Sequence, residues 1–308
     1  MKITTKATLT NDQLTSYEQL IDIYTKVNST KDDEIIIDFS RTKIFECNLL
    51  AFISIIIETA NNRGISLAIR LPGESKLITA SHIIKCFNHY ANPQYRKSFF
   101  KPRCVIGNPN NKEVEDLLTK YLMESNIKDY LKIQILLSEL IANIRMHVVS
   151  HSSKCIGYMC SHVDVKSQYQ KLYVTIVNNA KSIKEILADN QMEFSNDEDA
   201  IRWVLKKTNS TRRDDESGGL GLYLLRKYTY ELKGTIIICS GSYIITMDGS
   251  CYIPDNDNQI YFKSSQKITG YFHGTSITLC IPFTETHDKS SKSTYLSDNS
   301  KIIDVEDY

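Results

Sequence analysis

Hydrophobic positions change period repeatedly along this chain. Residues 33–39, Asp33-Glu34-Ile35-Ile36-Ile37-Asp38-Phe39, form a short β-branched run, the pattern of a buried strand. A helix is predicted over roughly 47–63, with Asn61-Asn62-Arg63-Gly64 as its C-terminal stop. Ile65-Ser66-Leu67-Ala68-Ile69-Arg70 predicts a second strand, ended by Leu71-Pro72-Gly73. With further helices over roughly 12–27 and 76–90, residues 1–100 predict a small α/β unit with right-handed crossovers. Residues 91–102, which include Pro93 and Pro102, predict a linker.

The pattern then lengthens. Helices are predicted over roughly 112–125 and 128–149. On the second of these, Ile133, Leu137, Leu140, Ile144 and Val148 recur at helical spacing as a core stripe. Glu139, Asn143 and His147 stand one turn apart on a neighbouring stripe. Strands are predicted over roughly 154–160 and 172–177, and two capping boxes, Ser182-x-x-Glu185 and Ser195-x-x-Glu198, open short helices. Residues 208–219 are polar and end in glycine, which suits a lid. A helix runs from Leu220 to a stop at Lys233-Gly234, and strands follow over roughly 235–239, 243–247 and 275–281. Residues 286–308 have the Ser/Lys/Asp-rich composition of a disordered tail.

Composition narrows the function classes. At 308 residues the chain has room for two units, each able to bury a core. A net charge of +1 with mixed signs provides no electrostatic footprint for nucleic acid. The chain opens Met1-Lys2-Ile3-Thr4-Thr5-Lys6, without an apolar signal region, and no run approaches a membrane span. A cytoplasmic protein that does not engage membrane is the expectation. The eight cysteines sit mostly inside apolar patterns, as buried reduced thiols do. A metal reading of His147, His151, Cys155, Cys160 and His162 is the weaker alternative, because the odd spacing of Cys155 and Cys160 puts them on opposite strand faces.

Two motifs carry chemistry. The first is Glu139-Leu-Ile-Ala-Asn143-Ile-Arg-Met-His147, a carboxylate and a carboxamide four residues apart on one helix. The second is Ser217-Gly218-Gly219-Leu220-Gly221-Leu222, a glycine loop opening into a helix. A carboxylate can act as base, a neutral side-chain oxygen can ligate a hard cation, and free N–H groups at a helix start can hold phosphate. Taken singly, the first motif is equally a solvated helix face and the second a turn. Their order and spacing, with Gly274-Thr275 on a late strand, point to a nucleotide site.

The arrangement over roughly 112–283 resembles the GHKL superfamily of gyrase, histidine-kinase and mismatch-repair ATPases, the Bergerat fold. The resemblance implies an α/β-sandwich ATP-binding domain over 105–285, with ATP and Mg2+ as cofactors. It implies that Asn143 ligates the magnesium, that Glu139 serves as catalytic base, and that His147 belongs to the same motif. Gly218, Gly219, Leu220, Gly221 and Leu222 match the second glycine box, and Thr275 the residue that helps hold adenine through water. Arg212 and Arg213 could reach phosphate oxygens from the lid, and a solvated loop is the equal alternative. The family's first glycine box, Asp-x-Gly-x-Gly, is replaced by Asn178-Asn179-Ala180-Lys181-Ser182. Asn178 keeps a carbonyl acceptor without the charge, Ala180 adds a methyl group, and Ser182 is also explained as a helix cap.

Residues 1–100 resemble a STAS domain in pattern. The turn that carries a phosphorylated serine in that family reads Phe45-Glu46-Cys47-Asn48-Leu49-Leu50 here, without serine or threonine, so a docking role is expected. The whole is similar to anti-sigma-factor kinases and related bacterial regulators. Three readings stay open. One is an ATP- and magnesium-dependent regulator, with slow ATP hydrolysis, whose lid controls a protein partner. Another is a serine/threonine protein kinase with Glu139 as base, and the third is a non-enzymatic scaffold with a degenerate nucleotide site. Each implies a protein partner, regulator or substrate, and leaves room for a homodimer.

Overall fold

The computed structural model describes residues 1–71, 78–79, 99–106, 111–125, 127, 129–149, 156–164, 170–207, 209, 221–254, 256 and 259–283; several side chains within these ranges, among them Asn143 and His147, lie outside the description. The fold is α/β. No helix among the described residues is long and apolar enough to cross a membrane.

The N-terminal unit holds a sheet of β1 (Lys2–Thr4), β3 (Glu34–Asp38), β5 (Ser66–Arg70) and β6 (Ile78–Thr79), in the order β1-β3-β5-β6. The first three are parallel, and β6 runs antiparallel to β5. A second, two-stranded parallel ladder joins β2 (Thr8–Leu9) to β4 (Ile44–Phe45). The helices are α1 (Leu14–Ser29) and α2 (Leu50–Asn62), the latter entered through a 3-10 turn at Cys47–Leu49. Of the helix expected over 76–90, Ile78 and Thr79 are strand instead. Two β-branched residues here extend the β5 ladder, and the remainder lies outside the described residues.

The larger sheet has the order β10-β11-β9-β8-β7, every neighbouring pair antiparallel. Its strands are β7 (Phe99–Ile106), β8 (Gly157–Asp164), β9 (Gln170–Asn178), β10 (Thr235–Asp248) and β11 (Ser264–Phe283). The expected linker therefore runs into an edge strand at Phe99, where Pro102 is tolerated because an edge has spare donors. The two strands expected over 235–247 are one strand, β10, whose register shifts at Gly241, a residue with φ of 61°.

Helices α3 (Asn111–Glu124), α4 (Tyr130–Val149) and α7 (Gly221–Glu231) pack with α5 (Ile183–Asp189) and α6 (Asp197–Val204) in one core with the sheet residues Met159, Val174, Ile176, Ile236, Ile238 and Ile277. Ile133, Leu137 and Leu140 of the expected stripe are buried, joined by Leu136 and Ile141. The Ser182–Glu185 capping box forms as expected. The second box does not. Asn196 caps α6 by accepting from Asp199 N, and Ser195 instead donates to the Asp199 carboxylate. Both residues are good caps, and the carboxamide one position later reaches the helix N–H.

The opposite face of the larger sheet is also covered. Cys160, Val177, Ile237, Cys239, Ile244, Ile268 and Phe272 share a continuous core with α1, α2, β3 and β5. Helices α1 and α2 therefore form a layer between the two sheets. Leu50 through Ile56 are all buried, with Ser54 the one hydroxyl among six apolar side chains, so the first two turns of α2 are buried around their whole circumference, as a helix between two layers must be. Tyr24 Oη donates to the His273 carbonyl (3.2 Å) and Thr25 Oγ1 to that of Tyr271 (3.3 Å), tying α1 to β11.

Candidate nucleotide site and the seam behind it

Side chains directly opposed across antiparallel strands share a face. Register pairs Ser240 with Thr275, Thr275 with Asn178, and Asn178 with Gly157. Ile238, Ile277, Ile176 and Met159, each two residues away on its strand, belong to the core beneath α4 and α7, so this polar row lies on that same face. Asn178 and Thr275, read separately in the sequence, are thus immediate neighbours.

The row is tightly built. Asn178, 4% exposed, accepts at Oδ1 from Ala180 N (3.1 Å), closing a turn over half-buried Ala180. Asn179 clamps the turn to the start of β8, its Oδ1 accepting from Ile156 N at 2.8 Å. Ser240 Oγ accepts from Ile183 N (2.8 Å), donates to the Gly274 carbonyl (3.1 Å) and lies 3.2 Å from Thr275 Oγ1. Gly274 has φ of 154°, and a Cβ there would fall on the Asn178 carbonyl oxygen, so glycine is needed for the approach of β11 to β9. Ser182 Oγ meets Tyr271 Oη at 2.9 Å, and burial pushes the Tyr271 phenol up to about 12. Sequence reasoning missed Ser240. Its signal is a hydroxyl at the end of the apolar run Ile236-Ile237-Ile238-Cys239, on the face that is otherwise core.

Glu139 is exposed on α4. The backbone of Asn143 and His147 continues the helix, and their side chains lie outside the description. Helices α4 and α7 pack together, with Lys132 Nζ 3.3 Å from Glu231 Oε2, so the start of α4 meets the end of α7. At 1.5 Å per residue, Asn143 lies about 16 Å along α4 from that contact and Gly221 about 15 Å along α7. Leu222 is half-buried against the core. Arg212, Arg213, Gly218, Gly219 and Leu220 lie outside the described residues, as do the rest of the 208–219 lid apart from Asn209 and the whole 286–308 tail. Arg226, 2% exposed, was also unremarked in the sequence. It donates to the Leu205 carbonyl (2.8 Å) and stands 5.3 Å over the Tyr252 ring, fixing α7 against the end of α6. An open groove of about 720 Å³, lined by Tyr230, Glu231, Lys233 and Asp248, occurs at the other end of α7 and holds none of the expected site residues.

No group of three or more His, Cys, Asp or Glu side chains suited to a metal occurs among the described residues. Cys160 and His162 of the alternative metal reading point instead at the N-terminal unit. Cys160 Sγ donates to the Cys47 carbonyl at 3.2 Å, and His162 Nδ1 accepts from Asn48 N at 3.3 Å. Burial pushes the His162 imidazole down to about 4, which keeps that acceptor neutral, and its ring stacks on Tyr173.

Asn48 is the centre of this seam. Its Nδ2 donates to Thr175 Oγ1 (2.7 Å) and Asn11 Oδ1 (2.8 Å), and its Oδ1 accepts from Asn11 Nδ2 (2.9 Å). Tyr17 Oη adds a bond to Asn11 Oδ1 (2.8 Å), and Thr175 pairs with Thr278 (2.8 Å). Beside it, burial pushes the Glu46 carboxyl up to about 7, against the backbone N–H of Asn11 that it accepts. The turn at Glu46–Asn48 therefore docks on the back of the larger sheet of its own chain. No family model and no curated protein sequence matches the chain.

Proposed function

We propose that the chain is a nucleotide- and magnesium-binding regulatory protein of the GHKL type, built on a STAS-like unit and a Bergerat-like sandwich. The observation that carries the reading is the buried polar row Asn178–Thr275–Ser240, on the sheet face covered by the helix of Glu139 and Asn143. The row would hold the base of a purine nucleotide, ATP in the family the chain resembles. Asn143 would ligate magnesium, and the N–H groups around Gly218, Gly219 and Gly221 would receive the phosphates. Bound magnesium would supply charge neutralisation across the phosphates. Arg212 and Arg213 would add donors from the lid, and a protein partner would read the nucleotide state.

Calorimetric titration of the full chain with purine nucleoside triphosphates, with and without magnesium, tests this. Magnesium-dependent binding is expected, and Asn143→Ala should weaken it tenfold or more, roughly the 1.5–3 kcal/mol of a lost charged contact. Absence of binding by any of them refutes the reading and favours the scaffold. If phosphate is also hydrolysed or transferred, Glu139→Gln should keep affinity and lower turnover; equal turnover excludes Glu139 as base.

A further inference from the structure

We infer that segment 302–308 of this chain docks on a basic patch around Ile44, at the end of the N-terminal sheet. The patch forms where the chain leaves β1 and β3 and enters the β2–β4 ladder. Lys43 N and Ile44 N donate to the Ala7 carbonyl (2.7 and 3.3 Å), and Thr42 Oγ1 donates to the Lys6 carbonyl (2.9 Å). Residues 6–8 therefore run alongside 42–44, with Thr8 opposite Ile44. Thr5 and Thr42 are buried, their hydroxyls 2.6 Å apart. Lys6, Arg41, Lys43 and Ile44 are left exposed, Ile44 at 54%. Lys2 beside them is neutralised by Asp38 at 2.7 Å, and the Glu46 carboxyl is occupied in accepting Asn11 N. Among the described residues, Lys6, Arg41 and Lys43 have no ion-pair partner. Three unneutralised cations around an apolar side chain fit a segment that carries carboxylates and apolar residues together.

Residues 302–308 read Ile-Ile-Asp-Val-Glu-Asp-Tyr, three carboxylates and no cation. Residues 284–301 balance Glu285, Asp288 and Asp298 against Lys289, Lys292 and Lys301, so the negative charge is concentrated in the last stretch. In an extended chain Ile303 and Val305 fall on one side and Asp304 and Glu306 on the other; Lys43 and Ile44 alternate in the same way on β4. The chain also leaves the larger sheet beside the patch. The end of β11 pairs with the start of β9, Pro282 opposite Lys171. Lys171 in turn acts on the charge of Glu46, two residues from Ile44. From Phe283, residues 284–301 can span up to about 60 Å when extended, far more than this passage needs. Such a tether holds its segment at an effective concentration on the order of millimolar, which favours the chain's own segment over a second copy's.

The test is zero-length cross-linking of the full chain with a water-soluble carbodiimide, which joins a carboxylate to an amine in contact with it. Equal amounts of unlabelled and nitrogen-15-labelled protein are mixed, treated, digested and read by mass spectrometry. Cross-links of Asp304, Glu306 or Asp307 to Lys6 or Lys43 are expected, both halves carrying the same isotope. The exposed pair of Asp22 and Lys26, 2.7 Å apart, supplies the reference yield. Arg41→Glu leaves both lysines in place and should lower the patch cross-links about fivefold or more against that reference, as should Ile44→Asp. Mixed-isotope cross-links would move the segment onto a second copy and overturn docking within one chain. Absence of the patch cross-links while Asp22 and Lys26 react, or an even spread of them over lysines elsewhere, overturns the inference altogether. Should either variant misfold by circular dichroism, the parent's cross-link map decides alone.

Discussion

Replacing Asn48 with alanine tests whether the two units are one structure. Asn48 is fully buried, and truncation removes its bonds to Asn11 and Thr175. Thr175 keeps Thr278, and Asn11 Oδ1 keeps Tyr17 Oη. Asn11 Nδ2 is left buried without that acceptor, which costs about 1–3 kcal/mol. The vacated amide volume adds about 1 kcal/mol or more, for a total of about 3 kcal/mol. Thr175→Val should cost less alone, and the double variant should show a coupling of about 0.5–3 kcal/mol, because both residues share one bond. The assay is equilibrium urea unfolding of the full chain followed by two probes. Trp203 is the single tryptophan, half-buried on α6 and packed against the core beneath α4 and α7, far in sequence from the seam. Far-ultraviolet circular dichroism reports both units. With a core continuous from β3 to β11, the two probes should give coincident transitions, shifted equally by Asn48→Ala. A Trp203 transition that stays put while the dichroism moves refutes the shared core, and a stability loss below about 1 kcal/mol refutes the seam as drawn.

Two further predictions concern neighbouring positions. The Glu46 carboxyl is pushed up to about 7 from an ordinary 4.5, so the folded state holds a proton that the unfolded chain has lost. Stability should therefore be fully present below pH 4.5, fall as pH rises to about 7 and level off above, a loss of about 3 kcal/mol; Glu46→Gln should flatten that slope in urea titrations across pH, and an unchanged slope rejects the assignment. Gly274→Ala should lower stability by about 3 kcal/mol or more, since it strains the backbone and drives a methyl group onto the Asn178 carbonyl. Thermal unfolding measures it, and an unchanged Tm rejects the close approach of β11 to β9.

Local signals were legible in the sequence and non-local ones were not. β3, β5, α1 and α4 follow from periodicity because each period is written in contiguous residues. The Ser182 cap is equally local, and the Ser195 box slipped by one residue only because Asn196 competes for the same helix start. Helix α2 carried more information than its length. Its first two turns, apolar from Leu50 to Ile57 except at Ser54, meant burial on two sides, which an independent two-layer unit does not provide. What it packs against depends on a sheet more than a hundred residues away. The Glu46–Asn48 turn is similar: no local rule makes an asparagine there the partner of Thr175, and only the docked sheet supplies the acceptor. In the candidate site, Asn178 and Thr275 stood out as residue types, but the orientation of the amide depends on Ala180 N and that of the Thr275 hydroxyl on Ser240. Both are facts of register.

That register also explains why β9 is the strand on which the molecule turns. Successive side chains point to opposite faces, so Asn178 belongs to the row beneath α4 while Val177 and Thr175 belong to the seam with the N-terminal unit. Three residues of one strand thus serve two interfaces, and β11 repeats the pattern with Thr275 on one face and Thr278 on the other, where it pairs with Thr175. A one-residue slip of either strand would exchange the faces, putting Asn178 against the apolar layer of α1 and α2 and Val177 in the polar row. The reciprocal amide pair of Asn11 and Asn48 opposes such a slip, because its bond to Thr175 can form only in the observed register. The polar seam thereby secures the alignment of Asn178 with Thr275 from the opposite side of the sheet, which gives the docked N-terminal unit a part in shaping the polar row on the other face.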